Sequence, residues 1–333
     1  MERYRLSADG GVDMIAELPR GVRLVCAFGC FDGVHLGHRA LLSAAVADAE
    51  RLSVENGAEF VPAVWTFSRP VSKPWIISVP ERLALCGKAG VKYAICQRFE
   101  DVRTLSPEEF VDGLVRAVGL RYAVCGFNFR FGYMGAGDAA KLSDCLTTSL
   151  LSVGEKVLRS VDGVDSLTVV GEVSALGDTV SSTRIRRLLG DGDMEAVAAL
   201  LGRRYSLLGT VKSGKQIGRT IARPTANLIY CFDQLIPKRG VYYTYCLLKG
   251  VFYRSVTNVG YRPTVNDDET CVTCETHLLD FSETVYGEVV EIIFVHYARE
   301  ERAFSSIDEL SVQIASDVED AVQYFDALEA EKQ

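Results

Sequence analysis

The run Phe28-Gly-Cys-Phe-Asp-Gly-Val-His-Leu-Gly-His38 concentrates more reactive chemistry than any other part of this 333-residue chain. The protein has only four histidines, and two of them, His35 and His38, stand three apart here. Ahead of them, Leu24 to Phe28 is a short apolar run that stops at Gly29, the pattern of a strand buried on both faces. Behind them, Arg39 to Val54 is rich in Ala and Leu, has no internal Gly or Pro, and predicts a helix. In a parallel sheet, ligands bind at the carboxyl ends of strands, and the following helix aims free N–H groups at an anion. Gly29, Gly33 and Gly37 let backbone approach a phosphate closely. His35 and His38 can donate hydrogen bonds to phosphate oxygens, where charge builds in a transition state. The alternative is a tight turn with a satisfied core histidine. It suits a lone imidazole better than two at a helix start among three glycines.

A second constellation is Gly209-Thr-Val-Lys-Ser-Gly-Lys-Gln-Ile-Gly-Arg219, followed by Pro224-Thr-Ala-Asn-Leu228. The glycine-bearing loop lacks the Gly-Lys-Ser/Thr ending of a P-loop and is weak by itself. Thr225 and Asn227 sit two apart in an extended run, so both side chains face the same way. A hydroxyl and an amide oxygen are hard ligands suited to Mg²⁺ carrying ATP phosphates. They equally suit a pair capping a turn after proline.

The elements that must position these residues change in kind along the chain. Phe60 to Phe67, Tyr93 to Cys96 and Tyr122 to Cys125 repeat the buried-strand pattern. Ser106-Pro107-Glu108-Glu109 carries a helix-start signature between the last two. Strands alternating with helices predict a doubly wound parallel α/β sheet. Ser182 to Leu201 reads as helix interrupted by Gly190-Asp191-Gly192-Asp193. From Tyr205, two-residue periodicity marks strands at Val241 to Leu248, Phe252 to Val259, Val272 to Leu279 and Val289 to Tyr297. Turn signals at Lys249-Gly250 and Asn266 to Asp268 separate them. Successive antiparallel strands predict a small β-barrel, closed by a terminal helix with Ile307, Leu310, Ile314, Val318, Val322 and Phe325 on a core-facing stripe. The expected domains are residues 1–190, a linker at 191–204, and the barrel domain at 205–333. Two domains also suit the length, which exceeds the ~250–300 residues at which single cores stop growing.

Composition excludes several classes. Apolar residues make up 48% and charged residues 24%, with a formal charge of −8. That balance argues against a nucleic-acid-coating surface, which needs a net basic face. No apolar stretch approaches the ~20 residues that span a bilayer, and the first residues carry charges rather than a secretory core. The ten cysteines are scattered singly apart from Cys271 and Cys274. In a strand their odd offset sends the two side chains to opposite faces, so no zinc site is expected. Buried, reduced thiols in a cytoplasmic enzyme are expected instead.

The His-Leu-Gly-His run resembles the His-x-Gly-His signature of the nucleotidyltransferase superfamily. Phe31 to His38 as a whole is similar to the bacterial bifunctional riboflavin kinase/FAD synthetase family. Gly126-Phe-Asn-Phe-Arg-Phe-Gly132 and Val180-Ser-Ser-Thr-Arg-Ile-Arg186 match that family's second and third motifs. Pro224-Thr-Ala-Asn227, preceded by the Gly218-Arg219 pair, resembles its kinase signature, and the likeness continues through Gly240 to Tyr242, Thr257 to Thr264, Cys274 to Asp280, Tyr286-Gly287 and Arg299 to Phe304 into the last helix. Coverage is nearly the whole chain, both halves in the family's order.

The resemblance implies adenylylation of FMN to FAD in the first domain and phosphorylation of riboflavin to FMN in the second. ATP, riboflavin and FMN are then substrates and Mg²⁺ the metal, with no nucleic-acid or membrane partner. In the first domain it implicates Gly29, Phe31, Asp32, Gly33, Gly37, Asn128, Arg130, Ser182, Thr183 and Arg186 in holding ATP, with His35 and His38 at the reacting phosphates. Ser182 or Thr183 can cap a helix whose N–H groups, with Arg184 or Arg186, hold the outgoing pyrophosphate. Asn128 and Arg130 share one face of an extended segment, and the phenylalanines share the other, which suits core equally well. In the kinase it implicates Gly214, Lys215, Gly218, Arg219 and Pro224 around ATP and flavin, Thr225 and Asn227 as metal ligands, and Glu275 as the base. Two departures stand out. Phe67-Ser-Arg-Pro70 replaces the usual Phe-x-Pro-His-Pro. Ala222-Arg223 replaces Gly followed by an aromatic, which adds a methyl where backbone approaches phosphate and weakens the expectation of kinase activity.

Overall fold

The computed structural model describes residues 1–69, 74–212, 226–230, 234–263, 270–281, 283 and 285–330. The chain forms two compact units, Met1–Ser182 and Thr183–Gln333. The first is a seven-stranded sheet built from β1 (Glu2–Leu6), β2 (Val12–Ile15), β3 (Leu24–Phe28), β4 (Val61–Phe67), β5 (Tyr93–Gln97), β6 (Leu120–Gly126) and β7 (Leu167–Val170), in the order β2-β1-β5-β4-β3-β6-β7. The five strands β5-β4-β3-β6-β7 run parallel. The β1–β2 hairpin adds antiparallel to the β5 edge, an addition the sequence reading did not include.

Helices α1 (Leu36–Asn56), α2 (Val79–Lys88), α3 (Phe99–Val102), α4 (Pro107–Val118) and α5 (Ala139–Ser152) fill the crossovers. Leu24, Cys26 and Phe28 of β3 pack into one core with Phe110 and Leu114 of α4 and Leu142 and Leu146 of α5. Val25 and Ala27 alternate to the opposite face, the side on which α1 buries Leu41, Leu42, Ala45 and Leu52. Helix α4 shows how local sequence sets these boundaries. Ser106 and Glu109 form a reciprocal capping box with Pro107 at the first position, and Gly119 closes the helix at φ 71°. A Cβ on Gly119 would stand 2.3 Å from the Val22 carbonyl oxygen, so that crossing admits glycine alone. Past β7, the short strands β8 (Ser174–Ala175) and β9 (Asp178–Thr179) form a hairpin.

The second unit contains α6 (Ser182–Asp191), whose first residue lies at the unit boundary, α7 (Met194–Leu201), and strands β10 (Ser206–Lys212), β11 (Ala226–Tyr230), β12 (Gly240–Leu248), β13 (Val251–Pro263), β14 (Thr270–Leu278) and β15 (Val289–Arg299). The strands close into a barrel in the order β10-β11-β14-β13-β12-β15, every pair antiparallel. Thr244, Ser255, Thr257 and Thr276 are buried, and their hydroxyls satisfy one another across β12, β13 and β14 at 2.8–2.9 Å. Helix α8 (Ile307–Ala330) packs Ala321 and Phe325 against Tyr243, Tyr245 and Val295.

The expected linker at 191–204 is largely helix. Asp193 caps α7 by accepting from the Ala196 amide at 2.9 Å, and Met194, Val197, Leu200 and Leu201 are buried. Helices α6 and α7 with a turn at Gly192–Asp193 match the interrupted helix read at Ser182 to Leu201, and the residues beyond the turn carry an apolar stripe that is covered.

One buried cation organises the first unit. The Arg82 side chain is fully buried and donates from Nη1 to the Cys30 carbonyl at 2.7 Å and from Nη2 to the Phe67 carbonyl at 2.6 Å. Its guanidinium carbon stands 4.1 Å from the Trp75 ring centre. Replacing it by the apolar Arg82→Met leaves two buried carbonyls without donors, at a cost of about 3 kcal/mol. The urea midpoint of the first domain should fall accordingly, and a loss under about 1 kcal/mol would mean that water or neighbours replace those bonds.

Candidate functional site

The last residues of four parallel strands, Phe28, Phe67, Gly126 and Val170, line one cleft of about 550 Å³. This is the carboxyl edge of the sheet, where crossover helices present their N-termini. His35 is the N-cap of α1, at φ −71° and ψ 176°, and its Nδ1 accepts the His38 amide at 3.3 Å. A ring nitrogen that accepts carries no proton, which places the proton of a neutral His35 ring on Nε2. The two imidazoles stack with centres 3.6 Å apart and planes 15° apart. Both line the cleft. Gly37 makes the stack possible, since a Cβ there would meet the His35 ring at 3.3 Å.

The His38 imidazole is held well below its usual value of 6.5, first by burial, then by repulsion from His35 and Arg82. Its Nδ1 is buried and has no hydrogen-bond partner among the described residues. At neutral pH the ring is therefore an uncharged group.

The loop that carries the pair is built from behind. Phe31 and Val34 hold φ angles of 50° and 41° although neither is glycine, and Gly33 lies at 88°. Such backbone persists only where surroundings over-determine it. The buried Asp32 carboxylate accepts the Ile76 amide at 2.7 Å, and its carbonyl accepts Ser182 Oγ at 2.8 Å. Phe31 is fully buried, with its ring 5.2 Å from that of His38. Phe31, Asp32 and Gly33 are buried and shape this turn from the core side.

Gly29, Gly37, Asn128, Arg130 and Ser182 do line the cleft. Asn128 and Arg130 are exposed, while Phe131 is buried and Phe129 half-buried, stacked 5.6 Å apart. That part of the alternating aromatic face is core. Phe127 departs from it, half exposed at the cleft. Thr183 and Arg186 lie on α6 in the second compact unit. Among the cleft residues that sequence reasoning missed are Phe67, Phe99 and Arg103. The buried-strand pattern of Phe60 to Phe67 carried a signal for the first; the others sit at the start and just past the end of a four-residue helix with no motif.

The barrel holds a second cavity, about 280 Å³, lined by Glu275 and His277 of β14, Asn258 of β13, and Arg299 and Asp317. Asn227 of β11 and Asn258 of β13 are both backbone partners of Glu275, one on each side. The ladder therefore sets the expected metal ligand beside the expected base. Arg299 and Asp317 form a bidentate pair, 2.8 Å from Nε and 2.7 Å from Nη2, that fastens α8 to the end of β15. Gln313 Nε2 adds a third donor to Asp317 at 2.8 Å. This pair was not anticipated. Gly214, Lys215, Gly218, Arg219, Ala222, Arg223, Pro224 and Thr225 lie outside the described residues, as does the Asn227 side chain.

The comparisons with known proteins divide the chain in the same two parts. A family model described as FAD synthetase matches residues 20–184, and one described as riboflavin kinase matches residues 201–325. The bifunctional riboflavin kinase/FMN adenylyltransferase of Listeria monocytogenes is 32% identical over 92% of this chain and 94% of its own length. The enzyme of the same description from Bacillus subtilis is 32% identical over 91% and 93%, and that of Escherichia coli K12 is 31% identical over 95% and 96%. A crystal structure described as a macrolide-efflux protein from Streptococcus pneumoniae superposes with a TM-score of 0.74 at 26% identity, covering 91% of this chain and 94% of that one. Among the described residues of the present chain, no helix is long and apolar enough to cross a membrane.

The suppressed protonation of His38 has a consequence for stability. The unfolded chain takes a proton on this residue near pH 6.5, whereas the folded ring refuses it until well below that value. The folded state then binds fewer protons, so stability is unaffected above about pH 6.5 and falls progressively as the solution is acidified below it. His38→Gln should flatten the fall of the first domain's urea midpoint between about pH 7 and 5.5. An unchanged slope would show that His38 titrates normally.

Proposed function

The chain belongs to the bifunctional riboflavin kinase/FMN adenylyltransferase family, and from that membership we propose how named residues divide its two reactions. Riboflavin kinase activity belongs to the C-terminal part and FAD synthesis to the N-terminal part. The observation that supports the division is that each matched region contains its own cavity, one around His35 and His38, the other around Glu275.

In the first, an oxygen of the FMN phosphate attacks the α-phosphorus of ATP. A new P–O–P bond forms, the bond to the β-phosphate oxygen breaks, and pyrophosphate leaves. No protein nucleophile is required, since positioning and charge stabilisation suffice. His35 donates from Nε2, and the neutral His38 ring supplies a second donor without desolvating a charge. Both act with the amides at the start of α1. Asn128 and Ser182 border the space left for the nucleotide, and the Ser182 hydroxyl, engaged with Asp32, keeps the wall of the cleft fixed to the histidine loop.

In the second, Glu275 takes the proton of riboflavin's terminal hydroxyl as that oxygen attacks the γ-phosphorus of ATP and ADP departs. The Thr225 hydroxyl and the Asn227 amide oxygen fit Mg²⁺ in donor chemistry, and the Asn227–Glu275 register fits them to the same end of the site. Bound there, the ion would offset phosphate charge. We also place the enzyme in a reducing cytoplasm: eight described cysteines are free, and burial raises the thiols of Cys86, Cys96, Cys125, Cys246 and Cys274 to about 12.

Glu275→Gln should lower FMN formation by about 10²–10⁴-fold while leaving conversion of supplied FMN to FAD within about twofold. His38→Ala should do the reverse. Chromatographic separation of flavins after incubation with Mg-ATP reads both, and equal loss of the two activities in either variant would contradict separate sites.

A further inference from the structure

We propose that Arg103 is a further substrate-binding residue of the adenylyltransferase cleft, where its guanidinium receives a phosphoryl group of an incoming substrate. The inference rests on the assignment of adenylyl transfer to that cleft. Both substrates of the reaction are phosphate anions that must approach each other, so the site needs positive charge that is not already committed. Among the described residues that line the cleft there is no Asp or Glu, and the cationic side chains are Arg103 and Arg130. Arg130 lies 3.6 Å from the Asp138 carboxylate. His38 is held uncharged, and Arg82, behind the cleft, spends its donors on two carbonyls. Arg103 makes no side-chain hydrogen bond or ion pair with any described residue, although an acidic neighbour, Asp101, stands two positions away and pairs with Arg98 at 2.7 Å instead.

Its place in the fold narrows the choice of ligand. Arg103 is the residue immediately after α3, on the segment that follows β5, beside the Phe67 and Phe99 rings, whose centres are 5.8 Å apart. The sheet order β5-β4-β3-β6-β7 separates this wall from Asn128, which follows β6, with the α1 start between the two. With the nucleoside triphosphate assigned to the α1 and β6 side, the β5 side is left for the flavin nucleotide. Its apolar ring suits Phe67 and Phe99, and its phosphate suits Arg103.

The test is steady-state kinetics of FAD formation by the full chain, varying FMN and ATP separately, for Arg103→Ala, Arg103→Lys and Arg103→Glu. Losing a charge-assisted contact should raise KM for FMN by about tenfold or more in Arg103→Ala and further in Arg103→Glu. Arg103→Lys should recover part of the loss, and kcat should change by less than about threefold, as expected when ground-state and transition-state binding fall together. A rise in KM for ATP instead would still support the phosphoryl contact and move it to the triphosphate. The side chain is exposed, so thermal midpoints and riboflavin kinase turnover of the same preparations should match wild type and exclude misfolding. Unchanged KM for both substrates in Arg103→Ala and Arg103→Glu would overturn the proposal while leaving the cleft's assignment intact. Failure of the wild-type chain to make FAD would overturn that assignment itself.

Discussion

The first catalytic half depends on a turn that its own sequence does not favour. Between β3 and α1 the chain must reverse tightly enough to set two imidazoles face to face at a helix start, and it does so with Phe31 and Val34 in the left-handed region. Local propensity opposes both residues there. The opposition is overcome by tertiary partners: Arg82 on the Cys30 carbonyl, Asp32 on the Ile76 amide, and Ser182 on the Asp32 carbonyl. These contacts come from sequence separations of 52, 44 and 150 residues. The histidine pair is therefore a product of the complete domain, and the strain at the turn is sustained by the buried polar network behind it.

The barrel meets the opposite problem. The ladders on either side of β14 are regular and register does the positioning, since Glu275 has one asparagine as backbone partner on either side. What needs fixing is the helix that packs against Tyr243, Tyr245 and Val295. Arg299 and Asp317 fix it at one turn of α8, and Arg254 reaches Asp326 at 2.7 Å and Glu329 at 2.6 Å near its end. A ladder that places chemistry by counting residues suits a site whose parts come from neighbouring strands.

Much of this was legible in the sequence because it is periodic or local. The buried runs at Leu24 and Tyr122 are strands β3 and β6, the helix-start signature at Ser106 begins α4, and the stripe ending at Phe325 lies on α8, although its Ile307 and Val322 are exposed rather than core-facing. The His-Leu-Gly-His spacing pointed to the cleft. What escaped has a physical explanation. The β1–β2 hairpin lies at an edge, and β1 has three charged residues among its five, without the apolar run that marks a central strand. Phe31 and Asp32 lie within the motif yet face inward, because a motif records which residues are needed and not which side of the backbone they serve. Arg82, Arg103 and the Arg299–Asp317 pair are single arginines whose meaning comes only from what three dimensions bring near them.

The central claim is that a stacked imidazole pair at the start of α1, with its His38 ring uncharged, meets the substrate phosphates. With four histidines in the chain, nuclear magnetic resonance of ¹⁵N-labelled imidazole rings reads it directly. The account expects His38 to keep the signals of an uncharged ring well below pH 6.5, and both His35 and His38 to shift when a non-hydrolysable ATP analogue is added. A His38 ring that gains its proton near pH 6.5, or a pair of rings indifferent to the analogue, would contradict it.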